Sequence, residues 1–221
     1  MRMRTLLCAA LAAAAVPALA ETRLATYEVT LTNATRNQRF TPVLVATHGE
    51  GARLFSVGMP ASPELATLAE EGDTAPLASA LQATSGVREV SSTSGLLAPG
   101  ASVQVVIRGV PGEQLSVAAM LIPTNDAFVA VNGTTLPKNR VPVTLNAVAY
   151  DAGSERNDES CASIPGPGFA ECGGPGGGGA PSGGEEGFVH VHNGMHGVGD
   201  FDDAERDWRN PVARVSIRRI Q

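Results

Sequence analysis

Aromatic residues are scarce in this chain. Six Phe, two Tyr and one Trp make up 4% of its 221 residues. So few rings give no broad stacking platform for sugars or for unpaired bases. Basic charge is short as well, with 16 Lys and Arg against 22 Asp and Glu. Phosphate backbones demand a basic face, so the balance argues against a nucleic-acid partner. It also argues against electrostatic docking to anionic lipid without a bridging cation. Past the first twenty residues, no run approaches the roughly 18 apolar residues that a spanning helix needs. No Gly-x-Ser-x-Gly elbow is present, and the glycine-rich tract has no Gly-Lys-Ser/Thr ending, which removes the usual hydrolase and phosphate-loop signatures. A carboxylate pair doing glycoside chemistry would lack its aromatic platform. The expectation is therefore a protein that is not an enzyme.

What is present begins with a targeting pattern. Arg2 and Arg4 form a charged start, Leu6 to Val16 an apolar core, and Ala18-Leu19-Ala20 a small-residue cleavage site. Residues 1–20 read as a secretory signal peptide cut between Ala20 and Glu21, which leaves 21–221 as one domain, secreted or periplasmic. Without Arg2 and Arg4 the chain keeps 14 basic against 22 acidic residues, a net charge near −8. Cys161 and Cys172, separated by ten residues, remain after cleavage. In an oxidising compartment they are expected to pair as a local disulfide, with two free thiols as the alternative.

The periodicity predicts a mainly β, antiparallel domain with one helical excursion. Thr26–Thr32 alternates apolar and polar residues, Thr41–Thr47 follows, and Leu54–Val57 continues it briefly. A helical excursion occupies about 62–84. Ser62 caps its first helix with Pro63 at the first position, and Leu65, Leu68 and Ala69 share one face. A second short helix carries Leu77, Ala80 and Leu81. Glu64, Glu70 and Glu71 fall off the first stripe and read as a solvated face. Strands return at Val103–Arg108, Leu115–Ile122, Ala127–Val131 and Val141–Tyr150, with a tight turn expected at Asn132-Gly133. Residues 153–187, rich in Gly and Pro, are expected to form a long flexible loop pinned by the cysteines. Phe188–His192 and Val212–Ile217 supply the last strands.

Two groups of side chains suggest chemistry. Asp126 opens one apolar run and Asp151 closes the next, so neighbouring strands would bring both carboxylates to one sheet edge. Clustered loop carboxylates are hard oxygen donors suited to Ca2+; the bland alternative is that each caps a turn. The second group is His190, His192 and His196. His190 and His192 share a face if they lie on a strand, His196 can fold back through Asn193-Gly194, and His48 and Met195 are possible neighbours. Imidazoles so placed suit Zn2+ or Cu2+; alternatively they hydrogen-bond the adjacent glycine-rich backbone. Asp200, Asp202, Asp203 and Asp207 read as a solvated turn, with rival ligands or carboxylate partners for the histidines as the other reading. Asn33-Ala-Thr35 and Asn132-Gly-Thr134 fit the N-glycan acceptor pattern.

Several blocks in order resemble a known family. Tyr27-Glu-Val-Thr-Leu-Thr-Asn33, Phe40-Thr-Pro-Val-Leu-Val-Ala-Thr-His48, Leu54-Phe-Ser-Val-Gly58 and Ala61-Ser-Pro-Glu-Leu-Ala-Thr-Leu-Ala-Glu70 resemble the spondin N-terminal domain in its bacterial secreted form. Asn125-Asp-Ala-Phe-Val-Ala-Val131, Tyr150-Asp-Ala-Gly-Ser-Glu155 and Asp207-Trp-Arg-Asn-Pro-Val-Ala-Arg-Val215 continue the likeness over nearly all of the exported chain. The resemblance implies a β-sandwich similar to calcium-dependent lipid-binding domains, working at a cell surface or matrix. It implies calcium ligation by Asp126, Asp151 and Glu155, with Glu155 replacing the family's Asp and Tyr150 replacing its Trp. Asp158 is a possible extra ligand. The partner expected is an unidentified protein, glycan or surface ligand.

Overall fold

The computed structural model describes residues 23–221. The signal-peptide and cleavage-site readings, and Cys8, lie outside the described residues. The chain is mainly β, with every strand pairing antiparallel. The strands are β1 (Ala25–Asn33), β2 (Arg39–Phe40), β3 (Leu44–His48), β4 (Val87–Ser92), β5 (Ser102–Gly109), β6 (Gln114–Ile122), β7 (Ala127–Thr135), β8 (Val143–Asp151), β9 (His190–Val191) and β10 (Ala213–Arg219). The helices are α1 (Pro63–Glu71), α2 (Ala75–Ala83) and the single turn α3 (Asp203–Arg206). One sheet runs β4-β3-β6-β7-β8-β10-β1-β5, with β2 added to β6 and β9 to β8. The sheet nearly closes on itself: β4 and β5 end the order, yet the Arg108 amide of β5 donates to the Glu89 carboxylate of β4 at 2.5 Å.

Burial explains why the strands read differently in the sequence. β1 alternates strictly, sending Tyr27, Val29 and Leu31 inward. The halves of the sheet enclose a core to which β1, β5, β6, β7 and β10 contribute, including Val29, Ile107, Leu121, Val129 and Ile217. β3, β6 and the first half of β7 are buried on both faces. Their outer face carries Leu44, Ala46, Ala118, Phe128 and Ala130, covered by Leu65 and Leu68 of α1 and Leu77 and Leu81 of α2. The helical excursion is thus the lid on a second core. Ser62 accepts from the Leu65 amide, and Gly72 ends α1 at φ 70°, as capping chemistry dictates.

Four local expectations are corrected. Asn132-Gly133 is a bulge inside β7, where the register against β6 shifts. The Asn132 amide accepts from the Leu54 amide at 3.0 Å and donates to the Phe55 carbonyl at 2.8 Å, so the side chain is spent inside the fold. Asn33 is buried and donates to the Gln38 and Leu97 carbonyls. Neither asparagine is therefore placed as a glycan acceptor. Leu54–Val57 is not a strand. Finally, the glycine-rich tract does contribute to packing. Ile164 and Phe169 enter the main core, a 3₁₀ turn forms at Ala170–Cys172, and Cys161 and Cys172 are disulfide-bonded. Gly176 and Gly177 lie so close to the Ile164 and Ala162 carbonyls that no Cβ fits.

Candidate functional site: a carboxylate and imidazole rim

A turn at 123–126 joins β6 to β7. The Thr124 hydroxyl closes it by donating to the Leu121 carbonyl at 2.5 Å and accepting from the Ala127 amide at 3.2 Å. Asp126 therefore enters immediately before β7. Ala127 pairs with Asp151 at the end of β8, and the Asp126 carbonyl accepts from the Ala152 amide at 3.2 Å. The two acids predicted to share a sheet edge do so. β9 then lies on the far side of β8, with His190 directly opposite Asp151.

Each carboxylate sits in a different setting. Asp126 is fully buried. Its Oδ2 accepts from the Ser154 amide at 2.8 Å, the Ser154 hydroxyl at 3.3 Å and the Glu155 amide at 3.0 Å, whereas its Oδ1 has no partner. Burial, followed by the charge of Asp151, raises its pKa to about 8 against the backbone amides that favour the anion. Glu155 accepts from the Ala180 amide at 2.9 Å through Oε1, and its buried Oε2 is unpartnered. Desolvation is the main cause that lifts its pKa to about 7, with Glu70 adding repulsion. Asp151 is satisfied on both oxygens, by the Gly153 amide at 2.7 Å and the Asn157 amide at 2.7 Å, yet burial still raises its pKa.

Asp158 is of another kind. Asn125, Ser160 and Ser163 donate to it; their hydrogen bonds outweigh its desolvation and hold its pKa below the usual range. It is a turn-capping acid with its oxygens engaged. Glu159, which the sequence did not single out, binds the His196 and Val198 amides at 2.6 and 3.0 Å. The late acids are structural too. Asp202 caps α3, Asp200 accepts from the Cys161 amide, and Asp207 accepts from the Met195 amide.

The three histidines occupy three environments. His190 is half-buried, with Nδ1 3.8 Å from Asp151 Oδ1. His192 is buried, and burial lowers its pKa to about 3. Its Nδ1 accepts from the Gly194 amide at 3.0 Å, so its proton sits on Nε2, 3.6 Å from Asp151 Oδ2. Moving that proton to Nδ1 would set it against the Gly194 N–H, so Nε2 is not free to ligate and His192 drops out of the predicted histidine ligand set. His196 is exposed. His48 is remote from all three, because it pairs with Gln114 at the start of β6 while the Asp126 turn follows the end of that strand.

Among the described residues, one group of three potential ligands keeps its donor atoms within 4.8 Å of one another: Asp151, Glu186 and His190. Neither Asp126–Asp151–Glu155 nor the three histidines form so tight a group. Since calcium–oxygen bonds run to about 2.4 Å, oxygens on opposite sides of one ion stand about 4.8 Å apart. A cation held by the first trio thus requires a side-chain rotation, and the unpartnered Oε2 of Glu155 loses no hydrogen bond by it. Glu186 carried no signal in the sequence, being one acid in a glycine-rich tract. Glu155 also borders a cleft of about 540 Å³ shared with Glu70, Glu71 and Pro165. Glu70 and Glu71, at the surface end of α1, give this cleft an acidic lining.

Tyr150 packs its ring 4.8 Å from Phe55 and 5.7 Å from Phe128, so the aromatic position beside Asp151 supports the outer core beneath the rim. No curated protein matches the chain. The family model described as Spondin_N matches residues 27–162, which takes in Asp126, Asp151, Glu155 and Asp158 and leaves out all three histidines of the rim. The resemblance read over Asp207–Val215 lies beyond that match. With more than half of its length matched, and with the β-rich fold and carboxylate rim described above inside the matched segment, the chain belongs to the spondin N-terminal family.

Proposed function

We propose that this chain is a secreted, non-enzymatic module that binds calcium through Asp126, Asp151 and Glu155, and that the ion stiffens the rim for contact with a protein, glycan or surface ligand. Export is supported by the leader-like first twenty residues, by the Cys161–Cys172 bond and by the family, whose setting is extracellular. The observation that carries the metal reading is the pair of buried, unpartnered carboxylate oxygens, Asp126 Oδ1 and Glu155 Oε2. An acceptor stripped of water without a donor is costly, and a hard cation supplies what both lack. When bound, calcium would neutralise the repulsion between Asp126 and Asp151. Asp126 and Asp151 supply anionic oxygens from fixed strand ends, and Glu155 turns in from the cleft. Asp158 remains a cap.

The test is thermal unfolding of chelator-treated protein with calcium added back. A ligand present at 100 times its Kd adds about 2.7 kcal/mol to a state that alone binds it, which is roughly 5–10 °C for a chain of this size. Asp126→Asn is expected to abolish that rise. Unchanged melting of the unsubstituted chain over millimolar calcium refutes the reading.

A further inference from the structure

We propose that Asp151, Glu186 and His190 form a second cation site, selective for a zinc-class divalent transition metal, on the β8–β9 side of the rim. The β8–β9 register sets Asp151 directly opposite His190, and residues so paired project from the same face. Their nearest atoms, Oδ1 and Nδ1, stand 3.8 Å apart; Nδ1 also lies 3.3 Å from the Phe188 carbonyl, so a metal taking Nδ1 replaces that contact and leaves the ring proton on Nε2. Glu186 arrives from the segment before β9. That segment is drawn in by the Gly187 amide, which donates to the Gly153 carbonyl at 2.9 Å, and by Gly153, where a Cβ would strike the Phe188 backbone. Asn157 reaches both acids, at 2.7 Å to Asp151 and 3.5 Å to Glu186, holding them side by side. One donor atom from each of the three lies within 4.8 Å of the other two. Glu186 is exposed and His190 half-buried, so small rotations of both can draw the set to the spacing of about 3.3 Å that bonds of 2.0–2.1 Å give in a tetrahedron.

His192 is the independent observation. Its imidazole is 5% exposed, and its buried Nε2 finds no hydrogen-bond partner while facing Asp151 Oδ2 at 3.6 Å. Ligating carboxylates are commonly oriented by a donor behind them, and the unpartnered Nε2–H of His192, 3.6 Å from the Asp151 oxygen away from His190, stands ready to take that role when a metal draws on Asp151. The donor set decides the metal class. One imidazole and two carboxylates, with a position open to water, suit zinc, whereas calcium takes oxygen alone. This site stands apart from the calcium reading: it uses Glu186 and His190, which that reading does not, and shares only Asp151.

The experiment is calorimetric titration of the full, chelator-stripped chain with zinc alone, alongside Glu186→Gln, His190→Ala and His196→Ala. One zinc per chain is expected, with affinity at least tenfold weaker in Glu186→Gln and in His190→Ala and unchanged in His196→Ala. Glu186 is exposed, so Glu186→Gln keeps the metal-free melting temperature and carries the test even if His190→Ala unfolds. Absence of zinc binding below about 100 μM (about 5.5 kcal/mol), or wild-type affinity in Glu186→Gln, overturns the proposal. Calcium-dependent melting is followed in the same samples: Glu186→Gln retains the calcium shift while Asp126→Asn loses it, so failure of one site is distinguishable from failure of the other.

Discussion

Asp126 gives its two oxygens unlike tasks: Oδ2 gathers the Ser154 and Glu155 backbone, and Oδ1 faces no donor. The sequence indicated the residue and its neighbour across the sheet, because an acid at the start of one apolar run and another at the end of the next must meet if the runs pair antiparallel. It could not indicate which acids are satisfied. Asp158 resembles them on paper, yet three side-chain or backbone donors engage it, whereas Glu155 is left with a bare oxygen. A pH prediction follows from that difference. The folded-state pKa values of Asp126 and Glu155 are raised, to about 8 and about 7. At these two acids the folded state therefore holds more protons than the unfolded one between about pH 4 and 8, which outweighs buried His192, whose pKa of about 3 acts the other way below about pH 6.5. The stability these protons confer is complete below the unfolded pKa and is lost as pH rises through the folded values. Metal-free protein should melt higher at pH 5.5 than at pH 8.5. Asp126→Asn should raise the melting temperature at pH 8.5 and flatten the profile, because the amide oxygen can keep the Ser154 and Glu155 contacts while its NH2 replaces the repelled oxygen. A pH profile from circular dichroism melts in chelator checks the sign.

At the scale of the element, β7 shows what a linear pattern conceals. Asn-Gly is a strong hairpin signal when it joins two strands, but here the strand continues through it. Asn132 holds the Leu54–Phe55 backbone, and Gly133, at φ 86°, donates its amide to the Ser116 hydroxyl. The alternative was decided by long-range hydrogen bonds that no local window contains. Asn132→Ala should cost about 1–3 kcal/mol by leaving the Leu54 amide and Phe55 carbonyl without their partner, measured by denaturant unfolding. β4 escaped notice for the opposite reason, since Val-Arg-Glu-Val-Ser-Ser lies near the open end of the sheet and none of its residues is fully buried. β1 was legible because only one of its faces is buried, while β3 and β6 read as continuous apolar runs because α1 and α2 cover their outer face. In the 153–187 tract, composition indicated a loop and concealed why it is glycine-rich, which is backbone laid against backbone. The Cys161–Cys172 bond closes a short loop in that tract, at a sequence separation of 11. By the loop-entropy relation its removal should cost about 3 kcal/mol. The Cys161→Ala/Cys172→Ala variant should unfold earlier by that amount in denaturant titration.

For the molecule as a whole, the family match and the folding unit have different limits. The match stops at residue 162, but β10 lies between β8 and β1 in the sheet. It pairs with β1 from Tyr27↔Arg219 to Asn33↔Ala213 and with β8 from Ala213↔Ala147 to Ile217↔Val143. Deleting it opens two adjacent edges and removes Ala213, Val215 and Ile217 from the core. Val215 and Ile217 alone account for roughly 3–6 kcal/mol at about 1.5–3 kcal/mol per buried aliphatic side chain, against a total domain stability of about 5–15 kcal/mol. The lost ladder bonds and the bare edges of β1 and β8 add to this, and bare edges recruit other chains. A chain cut after residue 162, although it retains the whole family match and every proposed calcium ligand, should fail to form a cooperatively melting monomer. The full-length chain with the glycine tract 173–187 shortened instead should keep its sheet, since none of the strands lies in that tract. Size-exclusion chromatography and thermal melts of the two variants separate the possibilities. Cooperative, monomeric folding of the 162-residue form would mean that the carboxylate rim is built by the matched segment alone, and that β10 merely rests against it.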